Sequence, residues 1–414
     1  MKILHISYSH TKGGASRAAL RIHNSLLKKK IKSFLQIKIF DKNVRYEKNI
    51  IKPNKYYSYL NKIKSAIESK ISHFLRFDDF AKNSISLFPS NLSKEINQSN
   101  YDIVHLHWVN GETISIEDIG LIKKPIVWTL HDMWPFSGSE HYTFNKYWKI
   151  GYKKKKIFYN FNISKLTWKR KYKSWRNLNL FIVGVSNWIS NSAAESLLFK
   201  KFPIQTIHNT LDTNFWRPEH KEKCRRYFNL PQDVKVIGFG SLGYKNTNLK
   251  GKDIFVSAIK KLSYDKKKVI LFTIGDSNQF SKHINGIKLY SIPRLEIDDE
   301  IKKFYNSLDV IVIPSRFESF GQTASEALSC GVPVVCFDVT GLKDIVFHKL
   351  NGWLAKPYQA TSLAKGVKYF LELSNKNYSS ICKYSRNQAL KKFSYDTISK
   401  KYIYLYKLII ENHR

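Results

Sequence analysis

Two doubly wound α/β domains are the fold this sequence predicts, and three observations predict it. The chain has 414 residues, about twice the usual domain size. Short apolar runs alternate with segments long enough for a helix, the pattern of parallel sheets covered on both faces. The alternation also comes in two series, which meet in a stretch rich in turn residues, Asn209–Glu219.

Taken in order, the first series opens with the strand Lys2–Tyr8, a polar loop holding Gly13 and Gly14, and a helix over Ala15–Leu27 with apolar residues at helical spacing. Further strands are expected at Ser33–Ile39, Asp102–His107, Pro125–Leu130, Leu180–Val185 and Pro203–His208. Residues 56–76 read as an inserted amphipathic helix. In the second series the strands are Val234–Gly240, Lys268–Ile274, Leu308–Ile313 and Pro333–Phe337, with helices over 251–262, 297–306 and 321–330. The expected organisation is a first domain over 1–215, a second over 216–394, and a helix over 395–414 that returns toward the first. Two such sheets place the carboxyl ends of their strands around a shared cleft, where ligands of these folds bind.

Composition narrows the function classes. A hydrophobic fraction of 43% with 26 Phe, 24 Tyr and 9 Trp excludes wholesale disorder. Seventy Lys+Arg against 32 Asp+Glu leave +38, which calls for an anionic partner or a lysine-heavy background. Cys224, Cys330, Cys336 and Cys382 form no CxxC pair, so neither a disulfide framework nor a zinc site is indicated and a reducing cytoplasm fits. His5, Ser7 and Ser9 break the first apolar run, which is too polar for a signal peptide. No stretch of eighteen apolar residues occurs, so any membrane contact is expected to be peripheral.

Five features could carry chemistry. In Arg316–Gly331, Glu318 sits in a loop after a strand and Glu326 in the helix that follows Gly321, with seven residues between them. Both carboxylates can reach one pocket, and the helix entrance offers amides to phosphate or sugar oxygens; an ordinary first-turn glutamate and a loop charge are the plain alternative. Gly240–Lys245 and Lys250–Lys252 follow the first strand of the second domain. Their lysines can meet a phosphate as point charges, or merely bound a solvated turn, and the spacing is neither GxxxxGK[ST] nor GxGxxG. Gly13 and Gly14 could cradle a ligand from the other domain, or serve only to turn the chain. His105, His107, His131 and His141 cluster at strand ends, where a catalytic cleft explains them better than zinc does. Finally, Lys146–Arg176 holds twelve Lys/Arg and nine aromatics, and no acidic residue lies between Glu140 and Glu195. This fits an anionic membrane better than nucleic acid, with a plain solvated face as the competing explanation.

The stretches KILHIS…KGGASRAALRIHNSL, VHLHWVN, WTLHDMWPFSGSEHY, VGVSNWI, TIHNTLDTNFWRP, KGKDIF and IPSRFESFGQTASEALSCGVPVVCFDVTGLKDIV give the chain a familiar look over almost its whole length. It resembles the retaining, nucleotide-sugar-dependent glycosyltransferases of the GT-B fold (glycosyltransferase family four, group 1 glycosyl transferases), and among them bacterial enzymes that build lipopolysaccharide O-antigen, capsule or exopolysaccharide. GT-B implies two Rossmann-like domains facing a cleft. By position, the resemblance implies that Glu326 holds the ribose of the donor and Glu318 its hexose, with the amides of Ser319, Phe320 and Gly321 against sugar and diphosphate. Lys250 would neutralise the diphosphate. Lys245 stands nearest to the place of a family arginine, and a lysine there supplies only a point charge. Gly14, with Gly13, matches the glycine-rich loop of the acceptor domain, and His131 a histidine at the donor sugar.

The implied activity is transfer of a hexose or N-acetylhexosamine from a UDP- or GDP-sugar to a lipid-linked or polysaccharide acceptor, with no metal or other cofactor. The implied place is the cytoplasmic face of the inner membrane, touched through Lys146–Arg176. An epimerase or phosphorylase of the same fold, or a silent glycan- or nucleic-acid-binding protein, are the alternatives.

Overall fold

The computed structural model describes residues 1–40, 48–53, 55–74, 82–153, 163–240, 247–275 and 282–412. It divides into two compact units, Met1–Thr210 with Ile398–Arg414, and Leu211–Thr397. The chain thus changes unit at Thr210/Leu211 and again at Thr397/Ile398, not at 215/216 and 394/395 as expected.

In the first unit the order is β1 (Lys2–Ser9), α1 (Gly14–Lys28), β2 (Lys32–Ile39), β3 (Ile50–Ile51), α2 (Lys55–Phe74), α3 (Leu92–Gln98), β4 (Ile103–Leu106), α4 (Ile116–Gly120), β5 (Ile126–Leu130), α5 (Ile163–Trp175), β6 (Leu180–Gly184), α6 (Asn187–Glu195) and β7 (Ile204–Thr206). The strands form one parallel sheet, β3-β2-β1-β4-β5-β6-β7. Its order reverses between β1 and β4, where the register pairs Ile3 with Ile103 and His5 with His105.

In the second unit follow α7 (Lys221–Tyr227), β8 (Lys235–Gly240), α8 (Thr247–Lys250), α9 (Lys252–Lys260), β9 (Val269–Gly275), β10 (His283–Ile284), β11 (Ile287–Pro293), α10 (Asp298–Ser307), β12 (Val310–Ile313), α11 (Gln322–Ser329), β13 (Val334–Phe337), β14 (Gly352–Ala355), α12 (Ala360–Leu371) and α13 (Asn375–Phe393). The sheet order is β10-β11-β9-β8-β12-β13-β14, parallel except for β10 against β11, and it reverses between β8 and β12. β11 and β14 are strands that the hydrophobic pattern did not announce. Ile287–Pro293 is mostly half-buried near the sheet's edge, and Gly352–Ala355 is only four residues long, so neither carries the apolar run of a central strand.

The last helix, α14 (Tyr395–Glu411), shows why the C-terminus belongs with the first unit. Ile398, Tyr402, Leu405, Tyr406 and Ile409 form one stripe and pack against Ile3, Ile22, Leu26, Ile103, Val127, Val183 and Ile207. At roughly 1.5–3 kcal/mol for each large apolar side chain removed from water, this stripe decides where the helix docks. No helix among the described residues is long and apolar enough to cross a membrane.

One buried ion cluster pins the central strands of the second sheet. Asp309, just before β12, accepts from Arg225 Nη2 (2.7 Å), Lys221 Nζ (2.8 Å) and the backbone N–H of Val236 in β8 (2.7 Å). Burial works to raise the Asp309 carboxyl, but the two cations and the Val236 amide outweigh it and hold the group below its ordinary value.

Candidate functional site

The switch point of the second sheet brings together Lys250 and Glu318, two of the residues singled out from the sequence. β8 and β12 are neighbours, and the carboxyl ends of strands at such a switch point are where open α/β sheets bind ligands. α8 ends in Lys250, and Gly251 then takes the left-handed conformation at φ 69°. A Cβ on Gly251 would lie 2.1 Å from the carbonyl oxygen of Pro314, so only glycine lets the two loops touch. Lys250 Nζ donates to Glu318 Oε1 at 2.5 Å, and Ser315 Oγ donates to the same oxygen at 3.0 Å. The Glu318 amide donates to Thr340 Oγ1 (3.1 Å) and its carbonyl accepts from Gly341 (2.8 Å), which fixes the loop on both sides. Arg316 grips Asp253 of α9 with two hydrogen bonds, 3.0 and 2.6 Å.

Gly321 caps α11 at φ 104°, a conformation that strains any residue with a Cβ. Glu326 is not the first-turn helix glutamate of the plain alternative. It lies beyond the first turn, is 3% exposed, and accepts from Tyr305 Oη of α10 at 2.8 Å. Burial and the neighbouring Glu326 push the Tyr305 phenol far up, so it is a permanent donor. Ser319 and Phe320 are buried, and the Phe320 ring packs edge-on against Phe393. The Phe320 side chain is therefore a packing element, which leaves only its backbone for a ligand. Lys245 lies outside the described residues.

His131, Gly13 and Gly14 belong to the first unit. Gly13 caps α1 at φ 86°, with open space where a Cβ would stand. His131 is half-buried after β5, and burial, opposed by Asp132, lowers its imidazole to about 4. It is neutral near pH 7. The adjoining Asp132 accepts from His141 Nδ1 (2.5 Å), Trp108 Nε1 (2.8 Å) and the Trp134 amide (3.0 Å), and His141 Nε2 meets Ser84 Oγ at 3.0 Å.

The histidines that converge differ from those expected. His141 is drawn off to Asp132, whereas His5, which broke the first apolar run, joins His105 and His107, their ring nitrogens within 4.8 Å of one another. A metal needs lone pairs aimed at one point in the plane of each ring. Here the rings of His105 and His107 stack at 4.2 Å and 29°, and both nitrogens of His105 are taken, by Tyr406 Oη (2.6 Å) and Thr129 Oγ1 (2.7 Å). The cluster is built for hydrogen bonding.

The basic aromatic segment is also not what its composition suggested. Trp148, Tyr152, Trp168 and Trp175 are buried in the first unit, so these rings cannot lie at headgroup level. Lys171 is wholly buried, donating to the carbonyls of Trp134 (2.5 Å) and Gly138 (2.6 Å) and lying 3.6 Å from the Trp134 ring. Lys146, Lys153, Lys169, Lys173 and Arg176 remain exposed. Residues 154–162 lie outside the described residues.

Comparison with known proteins matches the same two halves. The model of Glycosyltransferase Family 4 matches residues 13–215, and that of Glycosyl transferases group 1 residues 223–388. Over 201 residues the chain is 32% identical to an uncharacterized glycosyltransferase of Methanocaldococcus jannaschii, a match covering 47% of this chain and 50% of that one. The chain thus spans about half the length of the curated relatives it matches. Among solved structures, a sucrose-phosphate synthase from Thermosynechococcus elongatus superposes with a TM-score of 0.68 at 16% identity, covering 99% of both chains. Anabaena HepE in complex with UDP and glucose superposes at 0.66 and 17%, covering 98% and 99%.

These matches, with the two parallel sheets, define a GT-B glycosyltransferase fold. The chain belongs to the group 1 glycosyl transferases of glycosyltransferase family 4.

Proposed function

We propose that the protein transfers a hexose or N-acetylhexosamine, with retention, from a UDP- or GDP-sugar to a lipid-linked or polysaccharide acceptor in cell-surface glycan synthesis. The Lys250–Glu318 pair at the second sheet's switch point carries this reading. In the reaction the bond from the anomeric carbon to the diphosphate oxygen breaks while the acceptor oxygen bonds on the same face. The acceptor's proton passes to the departing diphosphate. Negative charge grows on that group, and Lys250 is the cation placed to meet it, which is the interaction that speeds the step. Donor binding exchanges partners, Glu318 turning to hexose hydroxyls and Lys250 to the diphosphate. Glu326, held by Tyr305, takes the ribose. With a lysine in this place, the proposed chemistry needs no metal.

UDP and glucose bound to the Anabaena neighbour support a nucleotide-sugar donor. For the acceptor side, exposed Lys169 and Lys173, with Leu166 and Tyr172 on the same helix and exposed Arg176 just beyond it, favour contact with an anionic membrane. A thermal-shift screen against UDP, GDP and their common sugars tests the reading, because a ligand at 100 times its Kd adds about 2.7 kcal/mol. No shift with any of them, or turnover unchanged in Lys250→Ala and Glu326→Ala, would refute it.

A further inference from the structure

Behind His131 lies a run of imidazoles that reaches into the core of the first unit. His5 Nδ1 meets His107 Nε2 at 3.0 Å, and His107 Nδ1 meets His131 Nε2 at 3.2 Å. The sheet builds this run. β1 and β4 bring His5 beside His105, and the His107 amide extends the ladder by donating to the Ile6 carbonyl. At the far end His5 Nε2 is buried and has no hydrogen-bond partner among the described residues. At the near end His131 is half-buried, and its Nδ1 makes no hydrogen bond among the described residues.

Burial holds all three rings neutral near pH 7, so each carries one proton. Every contact in the run then needs one N–H and one bare nitrogen, which leaves only two arrangements of the whole. In the first, His5 donates from Nδ1 to His107, and His107 donates from Nδ1 to His131 Nε2. The proton of His131 is then on Nδ1. In the second, every proton sits on the opposite nitrogen, and His5 Nε2 becomes a buried N–H aimed at no acceptor. Orphaned buried N–H groups are rarer than orphaned acceptors and costly to form, so the first arrangement is favoured about tenfold or more.

We infer that His5 and His107 are positioning residues that keep the proton of His131 on Nδ1, so that His131 meets a sugar oxygen as a hydrogen-bond donor and not as a base. This rests on the expectation, drawn from the family resemblance, that His131 stands at the donor sugar. A wrong tautomer cannot be corrected by a small movement of the ring, which is why the residue that orients a histidine matters beyond its own packing.

The test uses the full chain labelled with 15N-histidine at pH 7. Two-bond proton–nitrogen correlations, assigned by the signals lost in His131→Asn, are expected to show the bare nitrogen of His131 at Nε2. His107→Leu is expected to give a mixture of tautomers, and His107→Asn to restore the original one, because an asparagine amide can donate where Nδ1 did. His5→Phe should act in the same direction through His107. A role in packing alone would lower Tm in these variants without changing the tautomer. A proton on Nε2 in the parent chain, or a tautomer indifferent to His107→Leu, overturns the inference. Calorimetry with UDP and with GDP on the same samples separates the two readings. Binding with the wrong tautomer removes the relay alone, whereas the expected tautomer without any nucleotide binding removes the donor-site reading alone.

Discussion

The substitution Asp309→Asn tests how the second unit holds its site in place. The carboxylate is only 8% exposed and Arg225 only 5%. An asparagine at this position would keep the shape but leave the guanidinium without its counter-charge, and removing one partner of a buried pair costs about 3–5 kcal/mol. Arg225 keeps hydrogen bonds to the carbonyls of Ser307, Gln232 and Val234, which places the expected loss near the lower bound, about 3 kcal/mol. With a urea m-value of about 2 kcal/mol/M, the midpoint falls by roughly 1.5 M. Hydrogen exchange of the peptide over Val234–Gly240, followed against urea, reads this unit alone. The sign with pH is fixed as well. Asp309 has a depressed folded value, so its contribution is fully present above the ordinary aspartate pKa of about 3.9 and is lost as pH falls through the lower folded value. The gap between parent and variant should therefore be constant from pH 5 to 7 and close in stronger acid. A midpoint within about 0.3 M of the parent at pH 7 would show that the ion cluster does not hold β8 to β12.

Other outcomes follow from the same geometry. Gly251→Ala must displace the Pro314 carbonyl, which its Cβ would approach to 2.1 Å, and should abolish the thermal shift caused by UDP or GDP; an intact shift refutes the close loop contact. Glu326→Ala should weaken nucleotide affinity about 10- to 100-fold in calorimetry, the loss of one or two charge-assisted hydrogen bonds, and an unchanged Kd would take the ribose role away from it. Excess chelator should leave turnover of an active preparation intact, and its loss would mean that a metal takes part. Changing Lys169, Lys173 and Arg176 together to Ser should lower flotation with anionic vesicles by about 1 kcal/mol per residue, and equal flotation would turn the membrane reading toward a solvated face.

Much of the fold was legible in local pattern. Central strands such as Val269–Gly275 and Val310–Ile313 are continuous apolar runs because both their faces are covered. Not every edge strand was legible: β7 falls within the expected Pro203–His208, whereas β14 is only four residues long and half of them are incompletely buried. Of the site, the loops bearing Lys250 and Glu318 stood out by glycine and charge, but their ion pair joins residues 68 apart in the chain. Nothing in the spacing pointed to Tyr305 as the partner of Glu326, or to His5 as the partner of His107, 102 residues away. Composition also misled in one place, because it counts a Trp or a Lys without saying which way the side chain turns, and so Trp168, Trp175 and Lys171 passed for surface.

By itself, then, the order of residues determined two α/β units, the placing of glycines at strand ends, and the motifs of a sugar-transferring family. These depend on periods of two and 3.6 residues and on short stretches of chain. The tertiary structure alone decided which charges are paired and which histidines share protons. Those depend on sheet order and register, which bring distant residues into contact and cannot be read from the neighbours of any one of them.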